Sequence, residues 1–341
     1  MQQPRPIAIT MGDPAGVGPE IIVKAATRLR DRLEAGALRL LVIGHRPALD
    51  HAAKTLGHAP IPVAEPTADS PALAQLSVGD DSISIPLGQV SSAAGDCAFL
   101  AVERGVKLAQ AGKIGAIVTA PLNKEALNLA GHHFAGHTDM LATLTGSRDS
   151  VMMLAHGPMR VSHLTTHIAL HDVPKRLTPE RLRRVVDLTN QALLGLGIEK
   201  PHIAIAALNP HAGEGGLFGR EDIDVTMPTV AAMCADGLNI SGPIPGDTVF
   251  VKLRGGQYDA VVAMYHDQGH IPVKLLGFQI DPATGQWTAL NGINITLGLP
   301  IIRTSVDHGT AFDIAGKGIA NETSLIEAIE YAERLAVNHK A

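Results

Sequence analysis

Residues 260–278 read AVVAMYHDQGHIPVKLLGF, and this stretch decides the fold class. The run 260–264 (AVVAM) is apolar and bounded by polar residues, the pattern of a short strand buried on both faces. His266, Asp267, His270 and Lys274 follow it at once. In an open α/β sheet, ligands bind in the loops that leave the carboxyl ends of the strands. The stretch therefore predicts an α/β protein with an imidazole, a carboxylate and a long cation at the edge where such proteins do chemistry.

Outward from that strand the pattern recurs. Residues 6–11 (PIAITM), 39–44 (RLLVIG), 116–119 (AIVT), 202–208 (HIAIAAL) and 300–305 (PIIRTS) are further apolar strands. Helical spacing fills 19–33, 45–56, 97–110, 178–196 and 322–338. Strands alternating with helices at this pitch mean βαβ units and a mostly parallel sheet. A hairpin is predicted from 151–155 (VMMLA) and 159–165 (MRVSHLT), and residues 59–94 read as loops and a strand or two, with short alternating pieces such as 81–85. Residues 279–292 read as a polar loop. The turn Gly12-Asp13-Pro14-Ala15-Gly16-Val17-Gly18 precedes a helix with proline in its first turn. It is either a loop whose backbone N–H groups approach an anion or a tight structural turn; Asp13 would repel a phosphate set directly on it. Gly136-His137-Thr138-Asp139 precedes a short helix over 140–144, which Thr138 or Asp139 would cap.

With 341 residues the chain is long enough for two domains, and 45% hydrophobic with 18% charged residues describes a soluble globular protein. A formal charge of -5 argues against a nucleic-acid partner. Two cysteines, Cys97 and Cys234, build neither a disulfide framework nor a thiolate zinc site, and they fit a reducing cytoplasm. The opening MQQPRPIAIT lacks a signal-peptide layout, and no apolar run is long enough to span a membrane.

Among the 16 histidines, His167, His211 and His266 share a position just past the end of an apolar strand. On neighbouring parallel strands their imidazoles would converge on one edge, as a catalytic metal site with an open coordination position requires. Spacing alone leaves three independent structural histidines as the alternative. Lys274 and Arg303 are the cations placed for an anionic substrate. Asp247 and Asp267 either orient a metal-bound histidine or serve as a helix cap and a turn residue.

Taken together, the motifs resemble the 4-hydroxythreonine-4-phosphate dehydrogenase family of vitamin B6 (pyridoxine) biosynthesis and its sugar-acid relatives. The stretches that carry the resemblance are MGDPAGVGPEI from Met11, TAPLNKEAL from Thr119, GHTDMLA from Gly136 and TTHIAL from Thr165. NPHAGEGGLFG from Asn209, YHDQGH from Tyr265 and NITLGLPIIRTSVDHGTAFDIAGKG from Asn294 extend it over residues 6–335. The resemblance implies a fold like that of isocitrate and isopropylmalate dehydrogenases: two α/β domains with mostly parallel sheets and an active-site cleft between them. Residues 1–125 with 305–341 would form the cofactor-side domain, and 126–304 the metal, substrate and dimerisation domain.

It further implies one divalent metal per subunit on His167, His211 and His266: zinc first, with cobalt, magnesium, manganese and nickel as alternatives. Substrate contacts would come from His137, Thr138, Lys274, Asn294 and Arg303. Gly309, Thr310, Ala311 and Asn321 would contact NAD, with NADP the alternative cofactor. Lys274, Asp247 and Asp267 are the catalytic candidates, Lys274 or a metal-linked water with Asp247 acting as the base. Family members are homodimers that share active sites, so one histidine is expected to cross the interface. The implied reaction is oxidation and decarboxylation of a 4-phosphorylated four-carbon hydroxy acid in the cytoplasm.

Two features depart from the family pattern. Asp139 stands where glutamate is common, and residues 279–290, with the only tryptophan, Trp287, lengthen a short glycine turn. The wording HDQGHIPVKLLGF is similar to the sugar-acid branch acting on D-threonate or D-erythronate 4-phosphate. A decarboxylating cis-dihydrodiol dehydrogenase and a phosphotransacetylase-like acyltransferase are the alternatives.

Overall fold

The computed structural model describes residues 4–283, 285 and 287–338. Its strands in chain order are β1 (Ile7–Thr10), β2 (Leu40–Gly44), β3 (Leu73–Ser77), β4 (Ala116–Thr119), β5 (Val151–His156), β6 (Met159–His163) and β7 (Ile203–Ala206). They continue with β8 (Ile240–Ile244), β9 (Ala260–Ala263), β10 (Phe278–Ile280), β11 (Trp287–Leu290), β12 (Ile293–Leu297) and β13 (Arg303–Val306). Helices alternate with most of them, as the spacing predicts. The chain divides into two compact units, residues 4–150 with 299–337 and residues 151–298.

The first unit orders its strands β3-β2-β1-β4-β13, all parallel. Strands β1, β2, β4 and β13 are buried along their whole length; β1, β2 and β4 accordingly read as apolar runs, whereas β13 (RTSV) buries mostly polar side chains. Ala8, Ile43, Val102 and Ile117 form the centre of a core that also takes Met140 and Leu141. Those two side chains bring residues 126–150 into this unit, and the pairing of β13 with β4 brings residues 299–304. Both segments fall on the other side of the division read from the sequence.

Three local expectations are corrected in this unit. The third strand is Leu73–Ser77, whereas residues 81–85 follow a turn in which Asp80 Oδ1 accepts from Ser82 N–H at 2.9 Å and Ser82 Oγ at 2.7 Å. The short helix starts at His137, not Met140: Gly136 is its N-cap, and neither Thr138 nor Asp139 caps it. Asp139 instead accepts the Ala135 N–H at 3.0 Å. The first helix ends at Arg28, and Leu29 separates it from a short helix over Arg30–Glu34.

The turn after β1 resolves as structural. The N–H groups of Asp13, Ala15, Gly16 and Val17 are spent on Pro121 O, Asp13 Oδ1, Asp13 O and Thr310 O, at 2.8–3.1 Å. Gly12 is required there: its φ is +72°, and a Cβ would lie 2.0 Å from Pro121 O.

The second unit orders its strands β12-β5-β6-β9-β7-β8. β12, β5 and β6 are antiparallel neighbours, giving the expected hairpin, while β6, β9, β7 and β8 run parallel. Leu154, Val161, Val249, Val261 and Val273 meet in its core. The order β6-β9-β7 sets side by side the three strand ends that precede His167, His266 and His211. His266 and Asp267 open a helix, His266–Gly277, that contains Pro272. The expected loop 279–292 holds a two-stranded hairpin, β10 with β11, in which Phe278 pairs with Leu290. Thr284 and Gln286 of that segment lie outside the described residues. Among the described residues no helix is long and apolar enough to cross a membrane.

Candidate active site

In the second unit, His266 is the first residue of its helix and lies just past β9. Its Nδ1 lies 2.7 Å from Asp267 Oδ1, a contact that orients the ring and leaves Nε2 as the nitrogen that could meet a ligand. The His167 ring lies beside it, with centroids 5.6 Å apart. On the other side His270 stacks on His266 at 3.6 Å and 13°. His270 Nδ1 donates to the His266 carbonyl at 2.9 Å. Behind His270 stands His163, fully buried on β6, with ring centroids 4.7 Å apart. Burial, with the neighbouring imidazoles adding to it, pulls His163 down to about 3 and His270 to about 4. Both rings are therefore neutral at physiological pH. His163 was not singled out by sequence because it reads as one more strand residue.

His211 sits in a turn after β7 whose backbone is left-handed for five residues, with φ of 51° at His211, 53° at Ala212 and 43° at Glu214. Such conformations cost about 1–3 kcal/mol per non-glycine residue and persist only when neighbours impose them. Asp222 does so here. Its buried carboxylate accepts the N–H groups of Leu208 at 3.0 Å and Asn209 at 2.9 Å, directly before the turn. His211 lines a cavity of about 530 Å³ together with Asp247, Phe250, Tyr265 and Asp267. Asp247 lies in the first turn of helix Gly246–Arg254 and makes no cap.

One chain thus brings together His167, His266 and Asp267, and places His211 near Asp247 and Asp267 around a cavity. Among the described residues no three His, Cys, Asp or Glu side chains are gathered to hold an ion. Imidazoles with a carboxylate held against one of them nonetheless suit a divalent cation. Farther along the His266 helix, Lys274 Nζ lies 4.9 Å from the centroid of the Phe278 ring. Asn294 is on β12, and its Oδ1 is buried without a hydrogen-bond partner.

The first unit carries the other predicted contacts. Arg303 opens β13 at 3% exposure, and its Nη2 donates to Thr119 Oγ1 at 2.7 Å. Burial lowers its pKa to about 9, which leaves a guanidinium cation at neutral pH. His137 is pushed well below 6.5, first by burial and then by the Arg303 charge, so it is a neutral ring. Its Nε2 is buried and has no partner. His137 and Thr138 open a helix, where free backbone N–H groups favour an anion. A fixed cation, a neutral imidazole and a helix N-terminus together suit a phosphate or carboxylate.

Past β13, Gly309, Thr310 and Ala311 form a loop tied to the glycine-rich turn through Val17 N–H to Thr310 O at 3.0 Å. Glu20 accepts the Gly316 N–H, and Lys24 Nζ donates to Ala320 O at 2.7 Å, fastening the rest of it. Ala311 has φ of 44°, and the space over Gly309 is open. Asn321 Oδ1 accepts the Thr323 N–H at 2.8 Å, at the start of the last helix, so this side chain already has a structural task.

Over 340 residues, 99% of this chain and 98% of the relative, the chain is 67% identical to a Bradyrhizobium diazoefficiens protein provisionally named D-threonate 4-phosphate dehydrogenase. It is 46% identical to the D-threonate 4-phosphate dehydrogenase of Cupriavidus necator, with 97% of each chain covered. The crystal structure of a 4-hydroxythreonine-4-phosphate dehydrogenase from Klebsiella pneumoniae matches with a TM-score of 0.80 at 43% identity, covering 98% of both chains. A β-decarboxylating dehydrogenase from Thermococcus kodakarensis, at 12% identity and a TM-score of 0.50 over 96% of this chain and 83% of that one, shares the fold alone. Residues 37–332 match the family of the pyridoxal phosphate biosynthetic protein PdxA, and the chain belongs to that family of dehydrogenases.

Proposed function

We propose that the chain is an NAD-dependent, divalent-metal-dependent dehydrogenase that oxidises and decarboxylates a 4-phosphorylated four-carbon hydroxy acid, with D-threonate 4-phosphate as the preferred substrate. The observation that carries the reading is the His266–Asp267 contact at 2.7 Å with the His167 ring beside it, at the carboxyl ends of adjacent parallel strands. The two D-threonate 4-phosphate dehydrogenase relatives support the substrate.

When bound, NAD⁺ accepts a hydride from the secondary alcohol carbon, and the divalent cation acts as the Lewis acid that favours the alkoxide. His167, His211 and His266 would hold that cation. Because one chain does not gather all three, one is supplied by a second copy, in a homodimer with shared sites. Arg303 and His137, with the N–H groups at the start of helix His137–Thr145, bind and orient an anionic end of the substrate. Lys274 and Asn294 hold the remainder. Lys274 Nζ, or a water beside Asp247, takes the hydroxyl proton. Oxidation beside the carbon that bears the carboxylate gives a β-keto acid, which loses CO₂ while its electron pair moves onto the ketone oxygen. Residues 309–311 and Asn321 contact the cofactor. The reaction takes place in the cytoplasm.

The test is NADH formation at 340 nm from the purified protein with NAD⁺, Zn²⁺ or Co²⁺ and the 4-phosphates of D-threonate, D-erythronate and 4-hydroxythreonine. Turnover of D-threonate 4-phosphate with release of CO₂ is expected. Silence with all three and turnover of a cis-dihydrodiol would sink the reading, as would acetyl-CoA binding with no affinity for NAD⁺.

A further inference from the structure

The β-ladders of the second unit end before the proposed metal ligands begin. The last rung between β6 and β9 is His163 with Ala263, followed by Leu164 N–H to Ala263 O at 2.8 Å; between β7 and β9 it is Ile205 with Val262. Past those rungs, the backbone segments that carry His167, His266 and His211 are no longer joined by the sheet. Two side chains join them instead, and both meet at the backbone of Met264, which is fully buried.

Thr165 Oγ1 donates to Met264 O at 2.8 Å. The Met264 N–H donates to Gln268 Oε1 at 2.7 Å, and Gln268 Nε2 donates to Ala207 O at 2.8 Å. Thr165 lies two residues before His167, Met264 two before His266, and Ala207 four before His211. Gly246 leaves room for the bridging amide, since a Cβ there would lie 3.2 Å from Gln268 Nε2.

We infer that Thr165 and Gln268 are positioning residues that fix, within each chain, the backbone segments bearing His167, His266 and His211, and so the way each chain presents its ligands to the divalent cation of a site completed by a second copy. The inference rests on the metal reading proposed above. A side-chain amide suits the task because it has one acceptor and one donor end, and it spans two strands whose facing groups are an N–H and a C=O. A carboxylate at position 268 would keep the first bond and lose the second. Outer partners that orient metal ligands are typically worth about 10- to 100-fold in metal affinity.

The experiment is titration of the full-length, metal-free protein with Co²⁺, read by its absorption bands, alongside a thermal melt of each variant. Thr165→Val and Gln268→Met should fold and bind Co²⁺ about 10- to 100-fold more weakly. Gln268→Glu should weaken binding as well, and Thr165→Ser, which keeps the hydroxyl, should restore it. A merely structural role would lower the melting temperature and leave the affinity of the folded protein unchanged. His266→Ala separates the two levels of the argument. If it loses Co²⁺ while Thr165→Val and Gln268→Met bind like the wild type, the positioning role is refuted and the metal reading stands. If His266→Ala also binds like the wild type, the metal reading falls and the positioning role falls with it. Should Gln268→Met fail to fold, Thr165→Val and its serine counterpart decide the matter alone.

Discussion

Asp13→Asn removes a titratable group from the turn that supports the loop bearing Gly309, Thr310 and Ala311. The Asp13 side chain is 0% exposed, its Oδ1 accepts the Ala15 N–H at 2.9 Å, and its Oδ2 has no hydrogen-bond partner. Burial pushes its pKa up from 3.8 to about 6, and the Ala15 N–H offsets part of that rise. The folded value lies above the unfolded one, so the native state keeps a proton over a range in which the unfolded chain has released it. Stability therefore falls as pH rises from about 4 to about 6, and the full penalty is present above that. At about 1.4 kcal/mol per pH unit, the step from 3.8 to about 6 amounts to about 3 kcal/mol. The assay is urea unfolding of the wild type and Asp13→Asn at about pH 4.5 and about pH 7.5. The variant should gain about 2 kcal/mol on the wild type between the two, the remainder lying at lower pH. The cost of burying an amide N–H₂, about 1–3 kcal/mol, enters equally at both and cancels. Parallel pH curves for the two proteins would refute the assignment of a raised carboxyl pKa to this turn.

Arg303→Lys keeps the charge but loses the planar fork and the bond to Thr119, so kcat/KM should fall about 10- to 100-fold in steady-state assays with the phosphorylated acid. Asp267→Asn weakens the hold on His266 Nδ1; Co²⁺ affinity should drop about 10- to 100-fold while the melting temperature barely moves, since Asp267 is exposed. Asp222→Ala strands the Leu208 and Asn209 N–H groups, at about 1–3 kcal/mol each, and should cost about 3 kcal/mol in urea unfolding.

What was legible in the sequence follows from physics that is local. Strands β1, β2, β4, β7 and β9 are buried throughout, so each appears as an apolar run whatever its neighbours. The position of β3 within 59–94 was hidden because its central side chain, Gln75, is polar yet fully buried, and its pairing with β2 overrides the composition. The helix His266–Gly277 was hidden by Gly269 and Pro272, which punctuate it like a loop. The hairpin of β10 and β11 was hidden by the Asp281-Pro282-Ala283 sequence between its strands.

Some residues of the candidate site could be picked out in the sequence, but their wiring could not. His167 and His266 stand out as residues past strand ends, yet only the strand order makes them neighbours. His163 and Gln268 show nothing in sequence, because their importance lies in partners distant along the chain. Arg303 and His137 belong to distant segments, and the pairing of β13 with β4 brings Arg303 to Thr119. The branch of the family also rests on likeness, since the resemblance to D-threonate 4-phosphate dehydrogenases is one of overall identity and not of a single diagnostic residue.

The most direct measurement is the number of divalent ions bound per chain, by elemental analysis of gel-filtered protein loaded with Zn²⁺, for the wild type and for His167→Ala, His211→Ala and His266→Ala. One ion per chain in the wild type and none in any of the three variants is predicted. A metal-free wild type that oxidises D-threonate 4-phosphate with NAD⁺ at full rate in the presence of a chelator would contradict it.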